Sequence, residues 1–351
     1  MFFLERRIDM AYIQAVVKRV GAFLLISLFI IIASCFAGAE NDYYDNGMKY
    51  ALQGDFQSAK PEFQAALKVN PVYTPAKLNL QIIEDTETNK LDKDIAIQLF
   101  QGRDYAKKGM WAEAITEFNQ VIAKKPDYTD AYLNRGGAYS NKGQLDLAIV
   151  DLGKVIEARP RYAEAYFNRG FAYDKKNLTD EAISDYTKAI EINPGYIAAY
   201  YNRGVDYFFK KGQTDEALAD FAKVIDKNPT YIQAYYSRGV IYFNKGLYNN
   251  AIADYTKAIE IDPAYIEAYY GRGNVYSNKG KYEEALADLN KVLEINPKYT
   301  EAYFNKGSVC EKLGKTKEAI EAYRIFLRDA NPSEYRVNIE HAQGRLRELE
   351  K

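Results

Sequence analysis

Apolar and polar positions along most of the chain recur in steps of three and four, the beat of helices that bury one face. The segment AYFNRGFAYDKKNLTDEAISDYTKAIEINP, ending at Pro194, shows the pattern twice. In its first half Ala165, Tyr166, Gly170 and Tyr173 share a stripe, and in its second half Ala182, Tyr186 and Ala189 do the same, so each half predicts one amphipathic helix. Similar segments surround it: AYLNRGGAYSNKGQLDLAIVDLGKVIEARP, AYYSRGVIYFNKGLYNNAIADYTKAIEIDP and AYYGRGNVYSNKGKYEEALADLNKVLEINP. Prolines at 126, 160, 194, 229, 263, 297 and 332 mark the unit, at spacings of 34, 34, 35, 34, 34 and 35 residues. Gly143, Gly246 and Gly280 stand where the first helix must end and turn. The second helix stops at Asn-Pro or Asp-Pro, because a residue before proline is pushed out of the helical region. Such a period is an internal repeat, each copy burying its stripe against its neighbours.

On these residues the chain resembles the tetratricopeptide-repeat proteins of bacteria, which match in period, glycine, alanines and terminal proline. The resemblance implies an all-α fold without β-sheet, a right-handed superhelix (solenoid) of antiparallel helix pairs. Repeats are expected at 40–73, 95–128, 129–162, 163–196, 197–231, 232–265, 266–299 and 300–333. Between Pro71 and Pro126 the period breaks. Residues 74–84, TPAKLNLQIIE, echo a first helix whose partner is lost, and the polar run 85–94 reads as a hinge. One extra residue between Gly204 and Gly212 should bulge or lengthen the first helix around Phe208 and Phe209. After Ser333, an expected N-cap, Tyr335, Ile339, Ala342, Leu346 and Leu349 predict a capping helix over 333–351 whose polar face carries His341, Arg345 and Arg347.

Two polar features repeat. Arg135, Arg169, Arg203, Arg238 and Arg272 precede the first-helix glycine, and the same five copies carry Asp151, Asp185, Asp220, Asp254 and Asp288 in the second helix. The family more often has leucine at the arginine slot, so a charge there needs a partner, and these are read as structural pairs. The second feature is Asn134, Asn168, Asn202 and Asn305, each following an aromatic or apolar residue, with Phe167, Tyr201, Tyr236, Tyr270 and Phe304 in that row and Phe171 and Phe208 further along. The resemblance implies that these helices line a concave groove. An asparagine amide offers the donor and acceptor that an extended peptide bond seeks, and aromatics add contact area, so these residues are the expected peptide-binding groove. Acidic residues at its rim, Asp130, Glu164, Glu267 and Glu301, favour a ligand with basic flanks.

Composition narrows the chemistry. Forty-seven Lys and Arg against 48 Asp and Glu give a net charge of -1, so no basic field exists to gather nucleic acid. One histidine, His341, and two cysteines leave no metal cluster, no disulfide scaffold and no catalytic constellation. No cofactor and no small-molecule substrate are expected, and the chain reads as a non-enzyme. The 32 tyrosines are accounted for by the repeat, which spends several per copy on helix contacts.

Residues 1–39 read as an address. Arg6, Arg7, Lys18 and Arg19 precede the uncharged run VGAFLLISLFIIIA at 20–33. Three outcomes remain open: cleavage after Ala39, lipidation of Cys35 in the lipobox-like Ile32-Ala33-Ser34-Cys35, or a retained anchor through 20–39. The start itself is Met1 or Met10. All versions export the repeats, to the periplasm or a membrane surface of a bacterial envelope. The expected function is a protein-interaction scaffold or assembly factor there; the alternative is an accessory or regulatory subunit of an envelope enzyme acting on glycan or cell wall.

Overall fold

The computed structural model describes residues 39–71 and 73–351; residues 1–38 of the expected leader, including Cys35, lie outside the described residues. Among the described residues there are 18 α-helices and no strand. The chain divides into two compact units, one up to Val155 and one from Ile156 onward.

The first unit holds α1 (Ala39–Leu52), α2 (Phe56–Val69), α3 (Thr74–Glu87), α4 (Lys93–Lys107), α5 (Trp111–Lys124) and α6 (Thr129–Lys142), and its boundary falls inside α7 (Leu145–Ala158). The second holds α8 (Ala163–Lys175), α9 (Thr179–Ile192), α10 (Ile197–Phe209), α11 (Thr214–Lys227), α12 (Ile232–Asn244), α13 (Tyr248–Ile261), α14 (Ile266–Asn278), α15 (Tyr282–Ile295), α16 (Thr300–Lys312), α17 (Thr316–Asp329) and α18 (Arg336–Leu349). In the second unit, consecutive helices from α8 to α17 form five antiparallel pairs that stack on one another.

Local chemistry sets the lengths of these helices. Asn193, before Pro194, leaves the helix in an extended conformation (φ -130°, ψ 94°). Its side chain accepts the Gly195 N–H at 2.9 Å, supplying the turn that proline cannot cap; Asp262 and Asn296 repeat the bond at 2.9 and 3.0 Å. First helices end on a left-handed residue, Gly246 at φ 71° in α12 for example, and Asn177 takes that role at φ 59° where glycine is missing. In four of the five pairs of the second unit the first-helix glycine closes on an aromatic of the second helix; in α14–α15 the facing residue is Leu289. A Cβ at Gly239 would stand 2.7 Å from the Tyr255 ring, so only hydrogen fits. Tyr186, Phe221, Tyr255 and Tyr323 are thereby buried second-helix rings.

Four expectations change. The segment 85–94 is bound rather than a free polar hinge: α3 runs on to Glu87, Leu91 is buried in the core, and Asp85 accepts the Tyr128 hydroxyl at 3.1 Å. The division between units lies at Val155, far from that segment. The extra residue of the 197–231 repeat neither bulges nor lengthens α10, which has the 13 residues of its neighbours; it enlarges the turn at 210–213, closed by Gln213 N–H to Tyr207 O at 2.7 Å. Finally, Ser333 does not cap α18. Asn331 captures its N–H and hydroxyl in a turn of its own, and the helix starts three residues later, at Arg336.

Candidate functional site

Each of the five arginines reaches its aspartate across the helix pair through two bonds. The distances are 2.7 and 2.8 Å for Arg135–Asp151, 2.7 and 2.9 Å for Arg169–Asp185, and 2.8 and 2.8 Å for Arg203–Asp220. Arg238–Asp254 and Arg272–Asp288 repeat this at 2.7–2.8 Å. The carboxylates are buried, and each guanidinium sits between two tyrosine rings of its own helix, Tyr166 and Tyr173 at 5.8 and 5.7 Å for Arg169. The fork to Asp185 holds the Arg169 proton more firmly than usual, against the cost of burial. Three of the arginines also reach back to the preceding second helix: Arg135 to Asn119, Arg203 to Thr187 and Arg272 to Thr256, at 2.6–2.9 Å. All five pairs therefore bind helix to helix, and the three arginines with the extra bond also bind repeat to repeat.

In the second unit the first helices α10, α12, α14 and α16 lie side by side, and the expected groove residues fall on these and on α8, except Asn134, which is on α6 in the first unit. The aromatic row is engaged within the fold. Phe167 packs on Tyr186 and Tyr196, Tyr201 on Phe221 and Tyr231, and Tyr236 on Tyr255 and Tyr265, with ring centroids 5.0–5.8 Å apart. Tyr270 meets Tyr299 at 5.1 Å, and Phe304 meets Tyr323 and Phe326. Burial pushes the Tyr236 and Tyr270 hydroxyls up, and that of Tyr299 to about 12. The partner ring two residues after each proline, Tyr196, Tyr231, Tyr265 and Tyr299, went unread in the sequence although the Pro-x-Tyr spacing marks it.

The asparagines are also partly committed. Asn305 donates to the Tyr270 hydroxyl at 3.0 Å and to Asn274 at 2.8 Å, and Asn134, in the first unit, donates to the Asp130 carbonyl at 2.6 Å. Asn202 lies beside the buried Tyr186 hydroxyl. Asn168 is half-buried and makes no such bond. The acidic rim shrinks likewise, since Asp130 is buried and Glu301 accepts the Tyr335 hydroxyl; Glu267 stays exposed. His341 is exposed on α18, as expected of its polar face, and the edge of its ring also meets Phe304 at 5.6 Å. Cys310 is buried and its thiol is pushed up by that burial.

What remains open on this face lies one turn further along the helices. Phe171, Val205 and Val240 are half-buried, as are Phe208 and Phe243, and Phe209 is 64% exposed. Phe208 and Phe209 stand edge to face at 4.7 Å. Among the described residues no group of three His, Cys, Asp or Glu could hold a metal, and no helix is long and apolar enough to cross a membrane.

Stacked antiparallel helix pairs of one repeated length define an α-helical repeat protein. Models described as "Tetratricopeptide repeat" match residues 163–196 and 266–299, and 185–219 and 289–321, and a "TPR repeat" model matches 102–143, 138–177, 206–246 and 241–280. Together they run without a break from residue 102 to residue 321, so the repeats of this chain are tetratricopeptide repeats. Among solved structures, the C-terminal part of a TPR repeat-containing protein from Cytophaga hutchinsonii is 22% identical with a TM-score of 0.56, over 65% of this chain and 93% of that one. A tetratricopeptide repeat protein from Parabacteroides merdae is 20% identical with a TM-score of 0.51, over 73% and 99%. The protein MamA is 31% identical over 47% of this chain and 96% of its own, with a TM-score of 0.45. No curated protein gives a significant match.

Proposed function

We propose that the chain is a non-enzymatic interaction scaffold of a bacterial envelope, which binds a segment of a partner protein across the first-helix face of its second unit. The observation that carries this is the exposed Phe209 beside the half-buried Phe171, Val205, Phe208, Val240 and Phe243, on a face whose aromatic row is otherwise engaged in its own ring stacks. Exposed aromatic area beside a rigid frame is what binding hot spots are made of. Tyr201 packs in one cluster with Val205 and Phe208, and Tyr236 in the next with Val240 and Phe243, so the aromatic row and the strip share their support. The envelope assignment rests on the leader at 1–39.

A photo-crosslinking residue at Phe209 in cells tests the reading, with Val337, 75% exposed on α18, as the control position. Adducts at 209 and not at 337 are expected; adducts at 337 alone overturn the choice of face. A scaffold returns several proteins. A single recurring enzyme whose turnover rises on reconstitution returns the accessory-subunit alternative.

A further inference from the structure

Two residues after its glycine, four of the five first helices of the second unit bury an aliphatic side chain, Ala172, Ile241, Val275 or Val309. In α10 that slot holds Asp206, 1% exposed. One of its carboxylate oxygens lies 3.1 Å from Lys210 Nζ, and the other is buried with no hydrogen-bond partner. Lys210 also pairs with Asp174, at the end of α8. The enlarged turn explains how a lysine comes to be there. Lys245 and Lys279 bridge back to Asp215 and Asn249 at the start of the preceding second helix, and the equivalent bridge, to Asp180 at 2.7 Å, is made by Lys211. The extra residue thus frees Lys210 to turn towards the two carboxylates.

The cluster is under-compensated, with two carboxylates sharing one ammonium. Burial, then the neighbouring Asp174 carboxylate, push the Asp206 carboxyl up to about 6 despite Lys210. The negative charge reaches a second buried group: the Tyr186 hydroxyl, with no well-formed hydrogen bond, is held in its neutral form by burial first and then by Asp174, with Asp206 adding to it. The outer edge is open, because the side chains of Asp174 and Lys210 are 28% and 30% exposed while Asp206 forms the back wall at 2%. Phe209 projects one turn beyond Asp206 on the same helix.

Resting on the reading above that this face binds a partner segment, we propose that Asp174 and Asp206 form a seat for a basic side chain of that segment, an arginine or lysine. Lys210 is the chain's own occupant of part of the seat, and the incoming cation displaces it. Phe208 and Phe209 give the stem of the incoming side chain its apolar surface.

The test uses the full chain and two labelled octapeptides read by fluorescence anisotropy at pH 7.5 and moderate salt, one carrying four arginines between glycines and serines, the other carrying citrulline at those positions. The arginine peptide should bind about tenfold more tightly than its neutral counterpart. Asp206→Ala, which installs the residue that α8 uses at this slot, should weaken the arginine peptide about tenfold without loss of helicity. Lys210→Met should act oppositely and strengthen it about threefold or more. Asp226→Ala, an exposed carboxylate elsewhere, should change affinity less than about twofold, which separates the seat from general surface attraction. Equal binding of the two peptides, no effect of Asp206→Ala, or a weaker complex with Lys210→Met overturns the seat. Adducts at Phe209 alongside any of these results leave the groove standing without it; absence of adducts at Phe209 removes the groove itself.

Discussion

At the scale of single residues, the arginine and aspartate columns show how a charge is made tolerable inside a helix stack. The Asp185 side chain is 6% exposed and that of Arg169 23%, so removing either one leaves its partner largely dry and unpaired. Arg169→Ala should therefore cost about 3 kcal/mol, the lower end of the range for broken buried pairs because the guanidinium keeps some water. The matching double-mutant cycle with Asp185→Ala, followed by denaturant unfolding, should show coupling well above the ~0–1 kcal/mol of an exposed pair; coupling near zero defeats the bracing role. Asp206 obeys the opposite logic. Its carboxyl, lifted to about 6 in the fold and near its ordinary value in the unfolded chain, binds its proton more tightly when folded. Folding is thus favoured at low pH, and that advantage is lost as pH rises towards and through about 6. Asp206→Ala should raise the melting temperature more at pH 7.5 than at pH 4.5; equal gains at both values would show that the carboxyl titrates normally. The pairing of the columns was legible because both signs occur in the same five repeats. The commitments of Asn305 and Asn134 were not, because an amide's bonds depend on atoms from neighbouring helices and carry no spacing signal of their own.

At the scale of elements, helix identity was readable wherever the apolar stripe ran for a full turn or more, and helix ends were readable where a backbone constraint wrote them. Asn-Pro and the left-handed glycines are such constraints, and both appear in the structure with the geometry their chemistry demands. The misreadings at Ser333 and at the enlarged turn share one cause: competing local hydrogen bonds. Asn331 takes the groups Ser333 would have used to cap, and three backbone bonds to Asp206 O and Tyr207 O absorb the extra residue after α10. The polarity of 85–94 likewise hid Leu91, one buried side chain that fixes the connection. The close approach of α12 and α13 offers a direct check. Gly239→Ala would drive a methyl to 2.7 Å from the Tyr255 ring, which is itself held by Tyr236 at 5.8 Å, so the neighbour has little room to yield. A loss of about 1–3 kcal/mol is expected from overpacking, although alanine is the better helix former. Gly137, where the same addition meets nothing within 4 Å, should instead gain stability on substitution by alanine, and a comparison of the two unfolding midpoints measures the difference.

At the scale of the whole molecule, each repeat inside the second unit contacts its neighbours and little else, so stability accumulates along that stack and its terminal element carries the duty of closing it. α18 does this for the second unit, where Ala342 is buried, Arg345 pairs with Glu311 and the ring of Tyr335 meets Phe326 at 5.9 Å. Where the chain resides depends on residues 1–39, and the lipobox-like Ile32-Ala33-Ser34-Cys35 makes a specific prediction. If Cys35 is lipidated, the mature chain carries two or more acyl chains, each methylene adding about 0.8 kcal/mol of membrane affinity, enough for stable anchoring where one chain is marginal. Labelled palmitate should then enter the wild type and not Cys35→Ala, and the wild type should sediment with membranes. The competing outcomes leave different traces. Cleavage after Ala39 gives a free amino terminus at Glu40 by mass spectrometry and a chain released without detergent, so that the interaction face works from solution. A retained anchor leaves Met1 or Met10 intact and requires detergent for extraction, tethering the repeats directly to the segment at 20–39.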